Sequence, residues 1–176
     1  MNKSTKKITY SALFLALGVV FPQIFHLFGA GSTFLPMHIP VLLAGFFLGG
    51  SSAALVGIMS VLLSSALTGM PPVPILYFML AELAFYGLTA GFTYKNLKLN
   101  VYVSLVLSMI VGRIVSALTV FTLQPLLGLK IPPLIYSIGL VKDGLPGIII
   151  QLIFIPIIVL SVERAGFKFD QSTASK

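Results

Sequence analysis

The chain contains no cysteine and no tryptophan, and only 9% of its 176 residues are charged. Without thiols there can be no disulfide, no thiolate-held zinc and no cysteine nucleophile. Two histidines, His26 and His38, are too few for a multi-histidine metal site. The four acids are spread apart, so a paired-carboxylate proton relay has nothing to be built from. There is no GxxxxGK[ST] stretch to cradle nucleotide phosphates, no HExxH and no GxSxG. ATP hydrolysis, zinc proteolysis and serine hydrolysis by this chain alone are therefore excluded on motif grounds.

What the chain has in abundance is apolar surface. Hydrophobic residues make up 57% and the mean hydropathy is +1.07. Soluble domains carry about 25% charged residues, so this composition specifies an all-α integral membrane protein, expected as a single membrane domain over 1–176. The net charge of +7 is carried by residues placed at the ends of apolar runs rather than in a patch for nucleic acid. Lys3, Lys6 and Lys7 precede an apolar run from Ile8. This resembles a signal peptide, but a clear small-residue cleavage site is missing, and the run is expected as an uncleaved first span.

Apolar runs fall at about 8–28, 37–49, 52–67, 75–94, 101–123 and 143–162, with breaks at 29–36, 49–52, 69–74, 95–100 and 125–142. Backbone in lipid must satisfy its own hydrogen bonds, which makes these runs helices. The second is short and contains Pro40, so taken alone it could be re-entrant, leaving five crossings. Charge decides between the two. With six crossings Lys3, Lys6, Lys7, Lys95, Lys98, Arg164 and Lys168 all share one face, which the positive-inside rule makes cytoplasmic. Lys130 and Lys142 alone fall opposite. Six transmembrane helices with both termini cytoplasmic are expected. Residues 70–74, MPPVP, and 131–133, IPP, are stiff connections. They can act as lids over a site or simply stop helices at the surface.

Arg113 lies in the middle of an apolar run. A guanidinium at mid-membrane depth costs roughly 2.5–3.5 kcal/mol on insertion scales and cannot escape by losing its proton. Glu82 is the one acid comparably deep in another run. At ~1.5 Å per residue, Glu82 lies ~12 Å, Arg113 ~15 Å and Gln151 ~13 Å from the same side. Tyr86 follows Glu82 by one turn, and Tyr77 and His38 stand near the mouth. His38, Tyr77, Glu82, Tyr86, Arg113 and Gln151 thus form a candidate substrate-binding set, apolar and aromatic with a few placed polar groups. The alternative is a structural Glu82 and Arg113 ion pair, with Gln151 bonding a neighbouring helix and the tyrosines at the interface. Ala12 and Ala16 form a small-xxx-small pair that would let another helix approach.

Several stretches together carry a resemblance: the Ala12 and Ala16 pair, FLPMHIPVLLAGF over 34–46, Gly69-Met70-Pro71-Pro72, ELAFYGL from Glu82 and GLPGIIIQL from Gly144. Over about residues 8–163 the chain resembles the substrate-binding (S) component of an energy-coupling factor (ECF) vitamin transporter. The resemblance implies a prokaryotic plasma-membrane protein that captures a small water-soluble vitamin from outside. It implies a transmembrane coupling subunit and two cytoplasmic ATPases as partners, docking through Ala12 and Ala16, and an S component that topples in the membrane to deliver its ligand. ATP is then used by the partners, and this chain has no cofactor of its own and is not an enzyme. The stretches look like the pantothenate branch, whose carboxylate, amide and hydroxyls would suit Arg113, Gln151, Glu82 and a tyrosine. Two readings of other classes stand beside it: an intramembrane enzyme with Glu82 or His38 as base, and a non-transporting scaffold.

Overall fold

The computed structural model describes residues 3–128 and 132–166. Within them all regular structure is helical: α1 Lys3–Leu27, α2 Gly31–Phe34, α3 His38–Leu48, α4 Gly50–Thr68, α5 Ile75–Gly91, α6 Val101–Leu123, α7 Pro133–Asp143 and α8 Leu145–Arg164. A π-helical turn, Phe92–Asn96, extends α5. Five of these are long and apolar enough to cross a membrane: α1, α4, α5 with its π-turn, α6 and α8. Their outward faces keep Ile8, Val20, Leu55, Ile110, Leu118 and Ile153 exposed, as lipid-facing helices must.

Contacts fix the helix directions. Gly18 and Gln23 of α1 meet Ser60 and Ser64 of α4, so these two run parallel. Gly50 and Gly57 of α4 meet Leu88 and Leu83 of α5, so those run antiparallel. The α3 helix follows α5: His38 faces Glu82, and Lys95 Nζ donates to the Phe47 carbonyl at 2.6 Å near the far end of α3. Gly147 near the start of α8 meets Phe34, and Tyr94 donates to Glu163 near its finish. Arg113 of α6 meets Glu82 and Gly112 meets Tyr86, so α6 runs antiparallel to α5, and α1, α4 and α6 run one way and α3, α5 and α8 the other. Lys6, Lys7, Lys95, Lys98 and Arg164 gather at one end of the bundle, the basic end. The connections rich in proline lie at the other, the proline-rich end.

The α4 and α5 backbones touch. A Cβ at Gly91 would lie 2.1 Å from the Gly50 nitrogen, and one at Gly87 would lie 2.7 Å from the Ala53 backbone. The small-xxx-small pair that packs this chain internally is thus Gly87 and Gly91, whereas Ala12 and Ala16 stay exposed on α1.

Buried at the centre is α3, with all its residues except Ile39 inaccessible. Eleven residues rise only ~16 Å, about half of a hydrocarbon core of ~30 Å. The short second run is therefore a half-length central helix. The space beyond its N-terminus, towards the proline-rich end, must be filled by something else.

The structure corrects the stretch expected as a loop at 125–142, which contains α7. Pro132 and Pro133 sit at the N-cap and first turn, where a missing N–H costs nothing, so they start a helix instead of preventing one. The break at 29–36 likewise holds the one-turn α2, and α8 runs from Leu145 to Arg164 instead of 143–162. Lys130, Ile131 and Lys168 lie outside the described residues.

Candidate functional site

A cavity of about 400 Å³ occupies the space above α3. Its floor is polar. Arg113 Nη1 donates to Glu82 Oε1 at 2.8 Å, and His38 Nε2 lies 3.3 Å from the same oxygen. Three helices supply these groups: α6, α5 and the first residue of α3. A carboxylate can only accept, so His38 donates through Nε2. Its Nδ1 is buried without a partner, as are Arg113 Nε and Nη2. Unpaired buried donors are costly, so this floor holds more hydrogen-bonding capacity than the protein itself uses.

Tyr86 supports the floor from below. Its ring meets His38 edge to face, with centroids 4.9 Å apart. It also occupies the gap left by Gly112, where an added Cβ would lie 2.0 Å from the ring. Gly112 is thus the reason that Arg113, its neighbour on α6, comes close enough to Glu82.

Above the floor the walls are apolar. They come from Pro22 of α1, Leu35, Pro36 and Met37 before α3, Ile75 and Met79 of α5, and Leu140 of α7. Met70, Pro71 and Pro72 form a partial roof at the proline-rich end. Near the mouth stand His26 and Asp143. No phenylalanine or tyrosine lines this cavity among the described residues.

Of the residues singled out from sequence, the structure brings His38, Glu82 and Arg113 into one contact set at the cavity floor. Tyr86 lies one layer behind them. Gln151 is buried at 1% exposure with neither amide atom paired, and is not among the cavity-lining residues. Tyr77 is 40% exposed on another face of α5 and does not line the cavity either. The sequence reading missed Met79, His26 and Asp143 as lining residues. Spacing could have found Met79, which precedes Glu82 by three residues and so shares its face. Among the described residues, no group of three histidine or acidic side chains is placed to hold a metal ion.

At the basic end, Lys7, Ile8, Ala12 and Leu15 of α1 form a groove with Leu55 and Met59 of α4. No curated protein and no solved structure matches the chain. The family described as "ECF transporter, substrate-specific component" matches residues 6–159, from within α1 to within α8. That description names a transporter component instead of an enzyme, and it agrees with a multi-pass helical chain that keeps a polar-floored cavity. The chain belongs to the family of ECF transporter substrate-specific components.

Proposed function

We propose that the chain is the membrane-embedded subunit that captures a small water-soluble vitamin from outside the cell, with pantothenate as the best-fitting ligand. The observation that carries this reading is the cavity of about 400 Å³ over His38, Glu82 and Arg113. Its volume is in the range of small-molecule sites, and its pattern of apolar walls with few polar groups is theirs too. The basic end is cytoplasmic by the positive-inside rule, which places the cavity on the external side. In this orientation α3 is the second of six crossings, and both termini lie inside.

Pantothenate suits the lining. Its carboxylate can take donors from Arg113 on the floor, its branched aliphatic middle fits walls of proline, leucine and methionine, and its hydroxyls can donate to Asp143 at the mouth. Among the described residues no phenylalanine or tyrosine lines these walls for a flat aromatic vitamin to stack on. Delivery inside requires partners: a transmembrane coupling subunit and two cytoplasmic ATPases. The exposed Ala12 and Ala16 beside the α1 and α4 groove form the surface on which the coupling subunit docks.

Mass spectrometry of small molecules released from the detergent-purified chain tests this reading. Pantothenate is the expected compound. Riboflavin or another flat aromatic vitamin would remove the pantothenate assignment and keep the role, whereas a chain free of any small molecule and unable to bind a vitamin panel would remove both.

A further inference from the structure

The roof of the cavity, Met70 to Pro72, is anchored on its α5 side by the Leu76 N–H, which donates to the Pro72 carbonyl at 3.0 Å, so the Met70 and Pro71 carbonyls are the ones that look elsewhere for donors. Pro71, Pro72 and Pro74 have no N–H, so the segment offers carbonyl acceptors with few donors to pair them. In or near a bilayer such carbonyls need a partner from elsewhere. Two hydroxyls near the end of α4 supply it, and a third holds the Met70 N–H. Ser64 Oγ donates to the Met70 carbonyl at 2.8 Å, and Ser65 Oγ donates to the Pro71 carbonyl at 3.1 Å. Thr68 Oγ1 accepts from the Met70 N–H at 3.2 Å and donates to the Ser64 carbonyl at 2.7 Å. Gly69, with φ +74°, makes the left-handed turn that folds the segment back onto α4.

A fourth side chain reaches this cluster from another helix. Gln23 Nε2 of α1 lies 3.5 Å from Ser64 Oγ and 3.4 Å from Thr68 Oγ1. Its neighbour Pro22 lines the cavity. The hydroxyls therefore join three things at one point: the roof, the α4 terminus and the helix that forms one cavity wall.

We propose that Ser64, Ser65 and Thr68, steadied by Gln23, are the clasp that holds the roof in place over part of the cavity and thereby sets how fast the cavity exchanges with the outside. They are positioning residues, since none of the four lines the cavity. Opening the roof breaks the two serine bonds to the Met70 and Pro71 carbonyls while leaving the helices in place. The clasp rests on reading the cavity as the ligand site, yet its test needs no ligand, so the two can fail separately.

The absence of native cysteine makes an introduced thiol unique. Met79→Cys places it inside the cavity, and Leu126→Cys, on a residue 80% exposed, is the open control. The probe is a small cationic thiosulfonate added to the folded chain in detergent. Met79→Cys is expected to react much more slowly than Leu126→Cys. Adding Ser64→Ala and Ser65→Ala should raise its rate by about 5- to 150-fold, the effect of two lost hydrogen bonds, and leave the control unchanged. Ser64→Thr with Ser65→Thr keeps both hydroxyls and should keep the slow rate. Gln23→Leu should accelerate it less, because its contacts are long. Should the double alanine variant not fold, Ser65→Ala alone carries the test. The proposal is overturned if Met79→Cys reacts as fast as the control in the otherwise unchanged chain. It is also overturned if folded alanine variants melt earlier but leave the Met79→Cys rate where it was, since that is the signature of a purely structural role.

Discussion

Replacing Arg113 by Met keeps the side-chain length and removes the charge and every donor. The pair it breaks is buried: the Glu82 side chain is 3% exposed and that of Arg113 13%. Removing one member of a buried pair ordinarily costs about 3–5 kcal/mol because the other charge is left stranded. Two features of this site reduce that figure. His38 still donates to Glu82, and the variant also deletes two buried guanidinium donors that have no partner, each of which costs about 1–3 kcal/mol to leave unmade. A loss of about 1–2 kcal/mol is the expected balance. For a chain of this size that corresponds to a fall of roughly 2–8 °C in melting temperature. Glu82→Gln added to Arg113→Met removes the stranded carboxylate and should restore most of the stability. Binding is expected to follow a different course. If Arg113 donates to the ligand, both the single and the double variant lose about 10- to 150-fold in affinity, the worth of a charged hydrogen bond. Arg113→Lys should recover only part, because the planar fork is lost. The assay is far-UV circular dichroism for melting, since the chain lacks tryptophan and cysteine reporters, together with equilibrium binding of the copurifying ligand. A double variant that binds as the parent does would refute the reasoning and leave Arg113 a structural residue.

Four further outcomes follow from the packing, the docking surface and the orientation. Gly112→Ala forces a Cβ to within 2.0 Å of the Tyr86 ring and should cost about 1–3 kcal/mol as overpacking along with most ligand binding. Gly139→Ala, with nothing within 4 Å, should leave melting and binding unchanged when measured the same way. Bulky residues at Ala12 and Ala16 should abolish uptake in cells carrying the coupling subunits but leave binding to the isolated chain intact; equal loss of both would show that the pair is not a docking surface. Single cysteines at Val73 and Leu126 should label from outside intact cells, and ones at Lys98 and Arg164 only after permeabilisation. External labelling at Arg164 would sink the orientation.

The parts of this fold that were legible in the sequence are those where chemistry leaves few choices. A cation and an acid deep in apolar helices have one inexpensive arrangement, which is to meet, and Glu82 and Arg113 do. Helix phase was far less legible. In a soluble helix the apolar stripe marks the inner face, but lipid is as apolar as the protein interior, so the stripe vanishes. That is why Tyr77 and Gln151 could be placed at a depth but not on a face; Gly87 and Gly91, by contrast, are a legible small-xxx-small pair that the sequence reading missed. The α7 helix was hidden because its prolines read as a break, when their position at its start made them harmless. His26, one turn beyond Pro22 on α1, and Asp143, the last residue of α7, reach the cavity through the way the helices pack, which no local pattern encodes.

The central claim is that this chain alone holds a small polar molecule in the cavity above α3. Its most direct test compares small molecules released from the purified chain with those from Met79→Trp, which fills the apolar wall beside Glu82. The account predicts one water-soluble vitamin in equimolar amount from the parent chain and none from the variant, with both proteins folded. The same compound in equal amount from Met79→Trp would place the ligand elsewhere and contradict the account.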